Sequence, residues 1–121
     1  MESILGNSRR PDVTFYRDGR IDITSRVARM LQLTEGDVVD IGLHQDEYYL
    51  YVRTRGKDVV GKHSAQCFAS KKNSCNYRAY CRKICAAILG SSEIARVPAG
   101  DAVELPQIGI AVPLIIRLNL A

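Results

Sequence analysis

The chain has no tryptophan and only two phenylalanines, four prolines and two histidines among its 121 residues. With so few large aromatics, the core must be built from Ile, Val, Leu and Ala, with tyrosine at its margins. No apolar run approaches the roughly 18 residues of a membrane span, and the opening MESILGNSRRP has no signal-type stretch. The expectation is therefore a soluble, cytoplasmic chain with no membrane partner, whose four cysteines stay reduced. The histidines, His44 and His63, fall in loops with no nucleophile at a recognisable spacing, and no phosphate-binding glycine loop or zincin motif is present. Catalysis is not expected, nor is a cofactor. The cysteines Cys67, Cys75, Cys81 and Cys85 lack the tight knuckles of structural zinc sites, and only Cys81-x3-Cys85 comes near. They read as free thiols.

What is present is ordinary globular composition, 46% hydrophobic and 25% charged. The length suits one domain or two very small units sharing a core. Seventeen Lys and Arg against thirteen Asp and Glu give a net charge of +4, compatible with a polyanionic partner.

Residues 1–11 read as a basic N-terminal lead-in. Val13, Phe15, Ile21 and Ile23 alternate around Asp18-Gly19, a hairpin signal because glycine accepts positive φ without steric cost. Thr24 or Ser25 can cap a short helix with Val27, Met30 and Leu31 on one face. Strands follow over Val38 to Leu43 and Tyr48 to Thr54, joined by the polar turn His44-Gln45-Asp46-Glu47. Residues 55–64 read as a linker. Beyond it, Ala65 to Ala69 suits a strand. Tyr77 to Leu89 suits a helix, with Tyr80, Ile84, Ala87 and Ile88 on its apolar face and Gly90 as its stop. Ala102 to Leu105 and Ile108 to Leu118 suit strands whose prolines mark ends, bulges or edges.

The element order repeats. An offset of 64 lays GDVVDIGLHQDEYYLYVR (36–53) on GDAVELPQIGIAVPLIIR (100–117) without a gap, with identities at Gly36/Gly100, Asp37/Asp101, Val39/Val103, Leu50/Leu114 and Arg53/Arg117. The helices align at an offset of 57, placing Val27 on Ile84 and Leu31 on Ile88, and the difference implies an insertion around Ser91 to Val97. Each half alone buries too little apolar surface to offset its ordering entropy. The reading is thus a first unit, 12–54, and a diverged second unit, 65–121, packed as one domain.

The segment DGRIDITSRVARMLQLTEGDVVDIGLHQDEYYLYVRT, residues 18–54, resembles the AbrB/SpoVT/MazE family of swapped-hairpin DNA-binding domains. The likeness lies in the Gly19-Arg20 turn entering a β-branched strand, a short helix with Arg29 and Leu31, the Leu33-x-x-Gly-Asp link and the alternating strands around an acidic turn. The resemblance implies a mostly β protein with two short helices, in which two β-α-β-β units form one swapped-hairpin or cradle-loop barrel, a tandem pseudo-dimer. It also implies double-stranded DNA as partner and a transcriptional regulator or antitoxin-like role, with Arg20 and Arg29 matching arginines of the family.

The residues themselves point to the same chemistry. Arg17, Arg20, Arg26 and Arg29 cluster in the first half, and the planar guanidinium fork suits phosphate and guanine edges. These four are the expected DNA contacts. Lys71, Lys72, Arg78 and Arg82, with Tyr77 and Tyr80 interleaved, form a second basic cluster suited to nucleic acid, including unpaired bases that tyrosine can stack on, although Tyr80, on the helix's apolar face, is expected in the core. The alternative function is a protein-interaction or assembly module, presenting edge strands and the strand bearing Tyr49 and Tyr51 to a partner such as a toxin, or to another copy. That alternative predicts first-half arginines scattered or paired with Asp12, Asp18 and Asp22.

Overall fold

The computed structural model describes residues 11–55, 65–70 and 75–116. Strand β1 (Val13–Tyr16) turns through Arg17-Asp18-Gly19 into β2 (Arg20–Ile23). Gly19 takes φ 103°, its N–H donates to the Tyr16 carbonyl at 3.0 Å, and the Asp18 carboxylate accepts the Arg20 N–H at 3.0 Å. The Asp-Gly pair thus makes the hairpin that its chemistry favours.

Helix α1 (Ser25–Leu31) follows, with Thr24 at its N-cap and Val27, Ala28 and Leu31 buried. The Thr24 hydroxyl does not cap it; the Ser25 N–H donates instead to the Asn76 side-chain carbonyl, 2.8 Å away and from the other half of the chain. Strands β3 (Val38–His44) and β4 (Glu47–Thr54) are joined by Gln45 and Asp46, both at positive φ (49° and 67°). A two-residue turn of that hand matches the right-handed twist of the strands.

The second half contributes β5 (Ala65–Gln66), β6 (Phe68–Ala69), β7 (Tyr77–Tyr80), α2 (Arg82–Leu89), β8 (Ile94–Val97), β9 (Val103–Leu105) and β10 (Gly109–Leu114). Two corrections to the sequence reading arise here. The helix expected from Tyr77 starts only at Arg82, because residues 77–80 pair with β2 in the register Ile21↔Ala79 and Ile23↔Tyr77. Its buried seam is Cys81, Cys85 and Leu89, while Tyr80 is 58% exposed, Ile84 and Ile88 are half-buried and Ala87 is exposed. Matching buried positions places Val27 on Cys85 and Leu31 on Leu89, an offset of 58 rather than 57. The second correction is β8, a strand where the repeat suggested only an insertion.

All the strand pairs are antiparallel, in two five-stranded sheets with orders β6-β7-β2-β1-β8 and β5-β3-β4-β10-β9. Each sheet takes strands from both halves. The β2–β7 and β1–β8 pairs join them in the first sheet, and the β4–β10 pair, with Leu50 opposite Val112, and the β3–β5 pair join them in the second. One core lies between, built on Phe15, Ile21, Ile23, Val27, Leu31, Leu50 and Val112, all at most 1% exposed. This shared core is what lets so compressed a first unit fold, since burying each such side chain contributes about 1.5–3 kcal/mol. The expected mostly β architecture with two short helices is present. Among the described residues the sheets keep separate edges at β6, β8, β5 and β9, and no closed barrel forms. Among the described residues no helix is long and apolar enough to cross a membrane.

Each helix C-terminus is held by an arginine from outside the helix. Arg55 donates to the Leu31 and Gln32 carbonyls at 2.6 Å each and to fully buried Asp37 at 3.0 Å. Arg17 donates from Nη2 to the Gly90 and Ser92 carbonyls at 2.7 and 2.6 Å. Both satisfy carbonyls that a helix end leaves without intrahelical partners.

Candidate nucleic-acid interface

Successive strand residues point to opposite faces of a sheet, so the buried members of the first sheet fix which side chains face out. Val13 and Phe15 are buried on β1, which turns Thr14 and Tyr16 outward. On β2, Ile21 and Ile23 are buried and Arg20 and Asp22 face out. On β7, Ala79 is buried and Tyr77 reaches inward to donate to the Leu33 carbonyl at 3.2 Å, leaving Arg78 and Tyr80 outside. The register Phe68↔Arg78 adds Phe68 from β6, and Thr14↔Arg96 and Tyr16↔Ile94 add Arg96 and Ile94 from β8.

The outer face therefore carries two rows across the strands. One runs Phe68, Arg78, Asp22, Thr14, Arg96; the other runs Tyr80, Arg20, Tyr16, Ile94. Three arginines stand against one aspartate. The Arg20 guanidinium lies 3.8 Å from the centre of the Tyr16 ring, a cation–π contact worth about 0.5–1 kcal/mol at an exposed site. Arg78 Nε donates to Asp22 Oδ1 at 3.0 Å, and Arg20 Nε sits at ion-pair distance, 3.5 Å, from Asp22 Oδ2. One carboxylate thus positions two guanidinium groups whose side chains remain 31% and 37% exposed.

Phe68 is 48% exposed and Tyr80 58%. In a chain with two phenylalanines, one forms the centre of the core and the other faces solvent beside an arginine.

The expected contact residues are distributed unevenly. Arg20 from the first cluster and Arg78 from the second meet on this face. Arg17 is engaged by the carbonyls after α2. Arg26 is taken up by Asp12 at 3.2 Å, the Ala99 carbonyl at 3.1 Å and Asp101 at 3.4 Å. Arg29 bonds back to the Ser25 carbonyl of its own helix at 3.3 Å. Arg82 is exposed at the start of α2, where its chain packs against Gly19. Lys71 and Lys72 lie outside the described residues, as do residues 1–10 of the lead-in and 56–64 of the linker. Sequence reasoning missed Tyr16, Phe68 and Arg96. The alternation of Thr14 and Tyr16 with Val13 and Phe15 carried a signal for the first of these; the other two depend on which strands become neighbours.

The face of the second sheet opposite the core-facing Leu50 and Val52 bears Tyr49, which is buried, and Tyr51, which is half-buried, as their alternation implied. Tyr49 donates to Glu47 at 2.8 Å and Tyr51 to Asp40 at 3.4 Å. A cleft of about 400 Å³ separates α2 from β3, lined by Val39, Ile41, Ile84 and Ile88 with Asp40 and Lys83. His44 sits elsewhere, its ring edge-on to Tyr49. Cys67, Cys81 and Cys85 are buried and Cys75 is exposed, and no group of three metal-binding side chains occurs among the described residues.

No family model, curated protein or solved structure matches the chain.

Proposed function

We propose that the chain is a non-catalytic nucleic-acid-binding protein of the regulator class, and that its site is the outer face of the first sheet. The observation that carries this is the meeting of Arg20, Arg78 and Arg96 with Tyr16, Tyr80 and Phe68 on one solvent-facing surface. Arginines supply phosphate contacts and aromatic rings supply contact with bases. The resemblance of residues 18–54 to the AbrB/SpoVT/MazE family supports a DNA partner. Strands of both halves sharing each sheet are what a tandem, swapped-hairpin pseudo-dimer would need. In this account Arg17 and Arg26 hold the fold, and Arg20 is the central contact. Fluorescence anisotropy with labelled DNA, for the native chain and Arg20→Ala, tests it: the variant binds more weakly and stays folded.

A second reading, as an interaction or assembly module, is favoured by Arg26 pairing with Asp12 and Arg20 with Asp22, by Arg17 and Arg29 turning to separate backbone partners, and by the exposed apolar side chains of Leu43, Val103 and Ile110 in the second sheet. It predicts a protein partner or self-association and no affinity for nucleic acid.

A further inference from the structure

The shape of the same face selects among nucleic acids. Five strands about 4.8 Å apart span roughly 19 Å. The duplex major groove is about 12 Å wide and admits a helix or a two-stranded ribbon. Arg20 lies on β2, the central strand, with β7 on one side and β1 on the other. A groove wall would meet the neighbouring strands before Arg20 reached a base edge. An unpaired strand has no such barrier, because its bases can be splayed flat against a sheet.

The pattern on the face fits that mode. Tyr80 is the cross-strand neighbour of Arg20, and Phe68 of Arg78, so each pairs a ring with a guanidinium fork. Both rings are about half exposed, and neither donates its face to the core. Arg96, exposed on the far edge strand β8, extends the positive track across the sheet. Every base has a π-face, so such a surface grips single strands with little dependence on sequence.

Resting on the nucleic-acid reading above, we infer that the ligand is single-stranded nucleic acid, held by base stacking on Tyr80 and Phe68 and by phosphate contacts to Arg20, Arg78 and Arg96. DNA and RNA share this chemistry, and a contact to the 2′-hydroxyl is what would separate them.

The test is anisotropy of the full chain at about 50 mM salt, low enough to retain phosphate-driven binding. The probes are a labelled oligothymidylate, an oligouridylate and a duplex of the same length. The single strands bind more tightly than the duplex, and Tyr80→Ala and Phe68→Ala each weaken them roughly tenfold. Tyr80→Phe, which keeps the ring, binds like the native chain. A preference between oligothymidylate and oligouridylate identifies the source of the ligand, and equal binding means stacking and phosphate contacts suffice. Two results overturn the inference while leaving nucleic-acid binding intact: a duplex bound as tightly as the single strands, or ring deletions that change nothing while Arg20→Ala weakens binding. Absence of binding to all three probes removes the nucleic-acid reading itself, and the inference with it.

Discussion

Arg20 and Tyr80 are cross-strand partners, one from each half of the chain. That pairing lies both in one of the two seams that join the halves in the first sheet and in the middle of the candidate interface. Any account of function must therefore treat fold and site together, since the site does not exist until the second half has packed against the first.

Arg26 is predicted to be a stability residue and not a binding one. It bridges Asp12, which is 5% exposed and also accepts the Ala99 N–H at 2.8 Å, to the segment before β9. Arg26→Ala leaves that carboxylate short of its cation and destabilises the protein by about 2–3 kcal/mol. Chemical denaturation measures the loss, while nucleic-acid affinity under native conditions stays unchanged.

Gly19 is predicted to resist substitution. Its φ of 103° disfavours any L side chain, and an added Cβ would lie 2.9 Å from Arg82 Cγ and 3.2 Å from the Arg82 backbone nitrogen. Its carbonyl also accepts the Cys81 N–H at 2.8 Å, docking the first hairpin onto the start of α2. Gly19→Ala should cost about 1–3 kcal/mol, read as a lower denaturation midpoint.

Stability should fall in alkali. Burial pushes the Cys67 thiol up from 9.0 to about 12, with the Asp37 charge beside it adding to the rise, and burial pushes Cys85 up to about 11. Both thiols are raised, so the folded state favours the protonated form and the unfolded chain releases the proton first. Their contribution is complete below pH 9.0 and is lost as pH rises toward the folded values. Melting temperature should decline over that window, and Cys67→Ala should flatten part of the decline.

Thiol reactivity should single out one residue. Cys75 is exposed, while Cys67, Cys81 and Cys85 are buried. A thiol reagent at neutral pH should modify one cysteine in the native protein and four in denaturant, because a buried thiol is out of the reagent's reach.

Much of the first half was legible in the sequence because its signals are local. Asp18-Gly19, the Val27/Leu31 spacing and the period-two run through Tyr49 and Tyr51 each determine an element without help from distant residues. The second half was harder. Tyr77, Tyr80, Ile84 and Ile88 satisfy helical spacing, and only pairing with β2 makes residues 77–80 a strand. The same pairing moved Tyr80 from an expected apolar helix face to an exposed sheet face. The arginines show the same limit. Their residue type marked them as phosphate ligands, but Arg17 and Arg26 find carbonyl and carboxylate partners more than 70 positions away, which no local pattern encodes. Arg20 and Arg78 were both marked as contacts, though their meeting through Asp22 was not foreseeable from spacing.

The central claim is that this face binds a polyanion through its arginines, and the salt dependence of binding tests it most directly. Affinity of the native chain for an oligothymidylate should be measured from about 50 to about 200 mM salt, a range over which phosphate contacts release counterions. With three arginines on phosphate the account predicts a logarithmic slope near about −2, roughly a 20-fold loss across that range. Arg20→Ala should make the slope shallower by about 0.7. Affinity that does not change with salt, or no binding even at the lowest concentration, would contradict the account and turn attention to the tyrosine-bearing second sheet.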